Sequence, residues 1–390
     1  MKDMFKPVFA IGAIAVSLLI FVTVLDSNLP AIAKFVLGAA SLAGCGMAIA
    51  GLYKLEHWAG MFLLRSQHGL KFLDSVARKY PRLWQYFAEM GMIVGYGSLA
   101  YFIMGRKKMG WKVAAARYAP GTFILIFVYA LLPVAMAILL SMVRGGEEFS
   151  TAGSKFQEAA SGVDGLKYIS AAMLAFGGIT FLTTISIVTY AGIVGAALIS
   201  ALMGNGGPIA ATPPGGMPIL PGVNLDLVQG LLALAVVLLV HEGMHGVLAR
   251  LYKLPLKSAG LVIFGFLPFG AFVDIDEKRL FKERKERQNS VMVAGTAANF
   301  ATAIFFLALL ISFVALVGAS PSDLQRQVGR FIALTFSLNV IVAAVNLVPL
   351  PMFDGYHIMR NAVPHPWLQK AIVYLVGLSF LLTLFPWVLR

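Results

Sequence analysis

Apolar residues fall along this chain in long runs, separated by short polar or basic connections. A helix needs about 20 mostly apolar residues, at about 1.5 Å of rise each, to cross roughly 30 Å of hydrocarbon. Nine stretches come near or exceed that length: Val8 to Leu25, Ala31 to Tyr53, Trp84 to Met104, Ala119 to Val143, Tyr168 to Ser200, Val228 to Leu251, Asn289 to Val317, Arg330 to Leu350 and Ala371 to Leu389. The pattern predicts an all-α polytopic membrane protein of about nine transmembrane helices. No small-residue cleavage site follows the first run and a second run begins at once, so the first reads as a retained helix and not as a signal peptide.

Three segments break the pattern. From His57 to Tyr80, apolar residues alternate with Arg65, Lys71, Arg78 and Lys79 at roughly helical spacing, which predicts a basic amphipathic helix lying on the inner membrane surface. Asn205 to Val223 is dense in Gly and Pro, while Ala259 to Asp274, AGLVIFGFLPFGAFVD, is apolar, aromatic and interrupted by Gly and Pro. Both read as short re-entrant β-hairpin or strand segments. Irregular backbone at membrane depth is tolerated only where protein covers it or it lines a cavity, so both are expected beside an internal cavity. The longest polar stretch, Arg144 to Lys167, is too short to form a soluble domain. The expected division is an N-terminal transmembrane extension over residues 1–167, with about four spans, and a membrane core over 168–390.

Composition agrees with a bilayer as solvent: 59% of the 390 residues are hydrophobic, 13% are charged and mean hydropathy is +0.82. The formal net charge is +13, but the basic residues flank apolar runs and form no groove interleaved with aromatic side chains. They point to positive-inside topology and not to nucleic acid. Six basic residues between Lys278 and Arg287, with Arg250, Lys253 and Lys257 before them, put those loops in the cytoplasm. Val228 to Leu251 then runs inward, Asn289 to Val317 returns outward and Arg330 to Leu350 comes back in. Counting back puts Lys2 and Lys6 inside as well, but Arg106, Lys107, Lys108, Lys112 and Arg117 outside. Three readings of that conflict stay open: Trp84 to Met104 does not cross, Tyr168 to Ser200 is re-entrant, or this loop breaks the charge rule. The single cysteine, Cys45, lies inside an apolar run without a disulfide partner and reads as packing.

One apolar run carries chemistry. Leu239 to Arg250 reads LVHEGMHGVLAR, so His241 and His245 lie four residues apart and project from one face of a helix, where two imidazoles can grip one metal ion. Glu242 follows about 100° round the helix, the place for a general base that meets the attacking water. The chain has only six His, and an ionisable group inside an apolar span costs several kcal/mol unless it is paired or ligated. A chance H-E-x-x-H is therefore a poor account of two of those six. His241 stands nine residues before Arg250, which sets the metal roughly 13 Å from the cytoplasmic end of the helix. A catalytic zinc usually has three protein ligands, and the best candidate for the third is Asp354 in NLVPLPMFDGYH, where Pro349 and Pro351 break the helix and Gly355 lets the backbone turn. A helix-terminating turn whose aspartate faces solvent is the plain alternative. His357 fits either a hydrogen bond to a metal ligand or a loop facing the cytoplasm.

Together these residues resemble the site-2 protease family of intramembrane zinc metalloproteases, whose marks are H-E-x-x-H in one helix and N-x-x-P-x-x-x-x-D-G in another. Asn346, Pro349, Asp354 and Gly355 match the second mark residue for residue, and Gly295 with Asn299 supplies the family's Gly-x-x-x-Asn element between the two. The likeness covers about Gly204 to Arg360 and is closest to archaeal-type members. It implies one zinc ion per chain held by His241, His245 and Asp354, with Glu242 as catalytic base and proton shuttle. It also implies that Asn299 and Asn346 lie beside the metal, orienting the substrate carbonyl or stabilising its oxyanion. Helix packing through Gly295 and Ala298, and a helix C-terminal cap at Asn346, are the plain alternatives for these two. The chain departs from many members in having neither a PDZ-like domain nor a CBS pair, and in carrying at least four spans ahead of the family's six-helix core.

The expected activity is hydrolysis of a peptide bond within or near a transmembrane segment of a membrane-protein substrate, with release of a cytoplasmic fragment. The expected partners are that substrate and the lipid bilayer, with no nucleic acid; the oligomeric state is open. The substrate would present an extended strand to the edge formed by Leu261 to Val273. A zincin cleaving outside the bilayer fits poorly, because Glu277, Glu283 and Glu286 all fall in a charged loop. A non-proteolytic metal-binding protein or transporter would need inward-facing carboxylates on several spans, and Glu89 is almost the only candidate.

Overall fold

The computed structural model describes residues 5–29, 31–66, 68–104, 111–143, 166–212, 215–216, 225–318 and 320–388. The chain is mostly helical, with one small antiparallel sheet, and eight helices among the described residues are long and apolar enough to cross a membrane. Contacts divide it into two compact units, Met1–Lys79 with Ile219–Asp276, and Tyr80–Pro218 with Glu277–Arg390.

In the first unit α1 (Lys6–Asp26) packs on α2 (Ala31–Tyr53), and the Ser17 hydroxyl bonds both the Ser41 hydroxyl (2.9 Å) and its carbonyl (3.0 Å). Four antiparallel strands follow in the order β1 (His57–Trp58), β2 (Met61–Ser66), β3 (Leu256–Phe264) and β4 (Leu267–Ile275). The expected amphipathic helix over His57 to Tyr80 is thus confined to α3 (His68–Lys79). Its first part is a hairpin instead. Trp58 pairs with Met61 across the two-residue turn Ala59-Gly60, whose φ values of 48° and 83° are both positive, as a hairpin turn matching strand twist requires. Strand β2 then satisfies its backbone on β3, with Met61 opposite Phe264 and Ser66 opposite Ala259.

Helix α3 is amphipathic, and part of its apolar side packs on protein: Leu70, Leu73 and Ala77 are buried, and α3 packs on β3 and on α9 (Leu227–Leu251). Lys71, Arg78 and Lys79 stay exposed. The expected hairpin within Ala259 to Asp274 is present as β3 and β4, which turn at Gly265.

The second unit contains α4 (Pro81–Tyr96), α5 (Leu99–Ile103), α6 (Trp111–Met142), α7 (Leu166–Leu202), the short α8 (Gly207–Ala211) and α10 (Glu277–Leu280). It continues with α11 (Lys285–Val317), α12 (Asp323–Asn346), α13 (Asp354–Ala362) and α14 (Pro366–Val388). Helices α11 and α12 form a packed pair, α12 lies on α6, and α14 lies on α7. One core between them joins Leu131 and Ala135 of α6 to Ala303, Phe336 and Val340. A capping box at Ser322 and Gln325 starts α12.

The ninth expected span, Trp84 to Met104, is two helices. Gly97, with φ 54°, ends α4, and Gly178, with φ 61°, breaks α7 at the same level. The two backbones are pressed together: a Cβ on Gly178 would stand 2.6 Å from the Gly95 carbonyl carbon, and Ser98 N–H donates to the Ala175 carbonyl (2.9 Å). Only glycine reconciles positive φ with that approach. Of the segment Asn205 to Val223, α8 is described, while residues 213–214 and 217–224 lie outside the described residues, as do Arg106, Lys107, Lys108 and residues 144–165.

Candidate active site

Helix α9 buries a stripe at helical spacing, Gly230, Ala233, Val237, His241, His245 and Leu248, so the two histidines occupy core positions of an apolar helix. They are 5% and 7% exposed, and an uncompensated imidazole at such a position would be costly. Their Nε2 atoms converge to 3.1 Å, with ring centroids 4.8 Å apart. Two nitrogens, each about 2.05 Å from a tetrahedral zinc, stand roughly 3.3 Å apart, so the pair fits a shared ion. The same spacing also serves an N–H···N bond between neutral rings; holding a metal needs both Nε2 lone pairs free and the protons on Nδ1. Glu242 leaves the buried stripe and is half-buried, beside the pair but on a different flank of the helix.

The packing around α9 explains how the pair is fixed. A Cβ on Gly246, the residue after His245, would lie 2.6 Å from Leu73 of α3 and 3.4 Å from Val273 of β4. Arg250 at the C-terminal end of α9 pairs with Asp74 of α3 at 2.9 Å. Strand β4 packs along the same helix, and among the described residues it is an edge strand, bonded to β3 on one side.

Asp354 is the first residue of α13 and half-buried, its carboxylate at the end of the helix where backbone N–H groups favour negative charge. The turn before it is tight: Leu350 N–H donates to the Val348 carbonyl (2.8 Å) and Phe353 N–H to the Leu350 carbonyl (2.9 Å). A Cβ on Gly355 would stand 2.1 Å from the Leu347 carbonyl oxygen, which accounts for the glycine of the D-G pair. Helix α13 is fastened to α11 by a set of amides. Asn361 donates to Gln288 (3.1 Å) and Asn289 (2.8 Å), and Lys285 donates to the Asn361 carbonyl (2.8 Å). Seven residues from Asn361, Asp354 shares the face of α13 that these bonds turn toward α11.

Asn299 is fully buried in the stretch of α11 that is buried on all sides, and Asn346 is the half-buried last residue of α12. His357 is in α13 and not in a loop. It stacks on Phe281 at 5.5 Å; burial lowers its pKa, partly offset by the negative charge of Asp354. The amides Gln288, Asn289 and Asn361 escaped the sequence reading. Their signal was faint: each is an uncharged polar residue at an apolar-run boundary, where such residues are common.

The model of peptidase family M50 matches residues 229–321 and 314–384, which take in most of α9, helices α10 to α13 and the turn at Asp354. A protein of Methanocaldococcus jannaschii, named as a candidate zinc metalloprotease, is 29% identical over 173 residues, 42% of this chain and 83% of its own length. A second M. jannaschii protein, uncharacterised, is 32% identical over 78 residues, 20% of this chain and 21% of its own. A Bacillus subtilis protein, also named as a candidate zinc metalloprotease, is 29% identical over 87 residues, 22% of this chain and 40% of its own. No solved structure matches.

Proposed function

We propose that this chain, whose residues 229–384 match the model of peptidase family M50, is an intramembrane zinc endopeptidase acting on a transmembrane segment of a membrane-protein substrate. The observation that carries this reading is the buried His241–His245 pair, with Nε2 atoms 3.1 Å apart on a helix long and apolar enough to span. His241, His245 and Asp354 would hold one zinc ion, which when bound polarises the scissile carbonyl and acidifies the attacking water. Every other task falls to the chain. Glu242 takes the proton from that water and returns it to the leaving amine. Asn299 and Asn346 offer amide N–H groups to the carbonyl oxygen as it gains charge.

The substrate helix frays and adds to the free edge of β4, so that its backbone groups find partners that lipid cannot supply. Basic residues from Lys278 to Arg287 favour a cytoplasmic placing of that end of the site, with release of a cytoplasmic fragment. The catalytic core is the later part of the chain, residues 168–390, and the partners are the substrate and the bilayer.

The ligand set is tested by metal analysis of the purified full chain. Wild type is expected to carry one zinc per chain, and His241→Ala, His245→Ala and Asp354→Ala each to lose most of it. Wild type without zinc would overturn the reading, and an Asp354→Ala protein that keeps its zinc would remove Asp354 from the set.

A further inference from the structure

Helix α3 has two sides of different chemistry. Leu70, Leu73 and Ala77 share one side and are buried, while Lys71, Ser75, Arg78 and Lys79 fall within a sector of about 100° on the opposite side and are exposed. Phe72, 67% exposed, and the half-buried Val76 four residues on give that outer side an apolar flank. Asp74, the one acidic residue of α3, is engaged by Arg250 of α9. The outer side is therefore basic, with no carboxylate of its own helix to neutralise it. Compensation of the helix dipole accounts for Arg78 and Lys79 in the last turn, but not for Lys71 near the N-terminal end, where a cation is disfavoured.

The inner side fixes the level at which this basic face stands. Leu73 fills the space over Gly246 and Asp74 meets Arg250, so α3 lies against the last turns of α9. Helix α9 is long and apolar enough to cross a membrane, and Gly246 is roughly 8 Å from its end at about 1.5 Å per residue. That is the depth of the boundary between headgroups and acyl chains, where interfacial helices bury their apolar side chains about 5–10 Å. An exposed phenylalanine beside three cations suits that boundary, where hydrocarbon and phosphate lie next to each other.

We propose that the outer side of α3 is a docking surface for anionic phospholipid headgroups, with Lys71, Arg78 and Lys79 facing the phosphates and Phe72 among the first acyl carbons. The assignment stands apart from the zinc reading, since it uses only α3 and the end of α9. It bears on the candidate site all the same. Lipid that binds the folded arrangement stabilises it, and with it the packing of Leu73 on Gly246, the residue after His245.

The test uses the full chain in nonionic detergent, carrying Cys45→Ala and Ser75→Cys so that an environment-sensitive fluorophore sits at the centre of the outer side. Dioctanoyl phosphatidylglycerol, dioctanoyl phosphatidylcholine and glycerol 3-phosphate are titrated separately, and the half-response concentration of each is read. The phosphatidylglycerol value is expected at least about 10-fold below the phosphatidylcholine value at low salt, with the gap closing at about 1 M salt, where the Debye length is about 3 Å. Lys71→Gln, Arg78→Gln and Lys79→Gln together should raise the phosphatidylglycerol value by roughly 5-fold per charge removed and leave the phosphatidylcholine value unchanged. Lys278→Gln, Arg279→Gln and Lys282→Gln, at exposed positions elsewhere, remove the same net charge and should change neither value. Equal values for the two lipids overturn the proposal, as does a phosphatidylglycerol preference that survives the first triple substitution or falls equally with the second. A response to glycerol 3-phosphate as strong as that to phosphatidylglycerol would make the face a site for soluble anions, and the membrane assignment fails.

Discussion

His241 and His245 meet because an α-helix returns to the same face every fourth residue, and their partnership was legible in five letters of sequence. What the letters did not show is how firmly the site is held. Gly246 admits Leu73 and Val273 against the helix, and Asn361 ties the helix of Asp354 to Gln288 and Asn289; both depend on partners far away in the sequence. His357 gives a residue-scale prediction. Burial lowers its pKa in the folded protein below the ordinary value of about 6.5, so the unfolded chain takes up a proton more readily. The stability that a neutral His357 allows is fully present above about pH 6.5 and is lost as pH falls through the lower folded value. The thermal midpoint of wild type should therefore drop between pH 7.5 and 5.5 by more than that of His357→Gln. Equal drops would contradict a buried, charge-averse imidazole.

At the scale of elements, apolar run length located eight helices, since span length is set by the bilayer and little else. It failed where long-range pairing or backbone geometry decides. The residues from His57 to Ser66 begin a segment, His57 to Tyr80, whose basic residues fall at roughly helical spacing, yet the Ala59-Gly60 turn and a free edge on β3 make them strands. Likewise Trp84 to Met104 is apolar enough to span but stops at Gly97, because α7 crosses there backbone to backbone. The strands within Ala259 to Asp274 were readable, since Gly and Pro in an apolar aromatic run exclude a helix. The turn into α13 yields its own test. Gly355→Ala forces a Cβ toward the Leu347 carbonyl, and overpacking of this kind costs about 1–3 kcal/mol. The thermal midpoint of the metal-free protein should fall by several degrees; a midpoint equal to that of wild type would show that the turn can open.

For the molecule as a whole, order along the chain is a poor guide to which parts belong together. Helices α4, α6 and α7, which precede the H-E-x-x-H helix, share one compact unit with α11, α12, α13 and α14, while α1 to α3 share the other with α9 and the sheet. Residues ahead of the family-matched segment therefore build the surroundings of its candidate catalytic groups: α3 braces α9, and α4 braces the turn before Asp354. Removal of those residues should cost the chain more than a regulatory appendage would. The central claim is that Glu242 moves the proton in a zinc-dependent peptide hydrolysis inside the membrane. Its most direct test is Glu242→Gln, purified beside wild type, assayed for bound zinc and for cleavage of a transmembrane reporter. The account predicts one zinc in both proteins and a loss of cleavage of at least about 10²-fold in the variant, the scale of a lost general base. Cleavage at the wild-type rate by Glu242→Gln would contradict it.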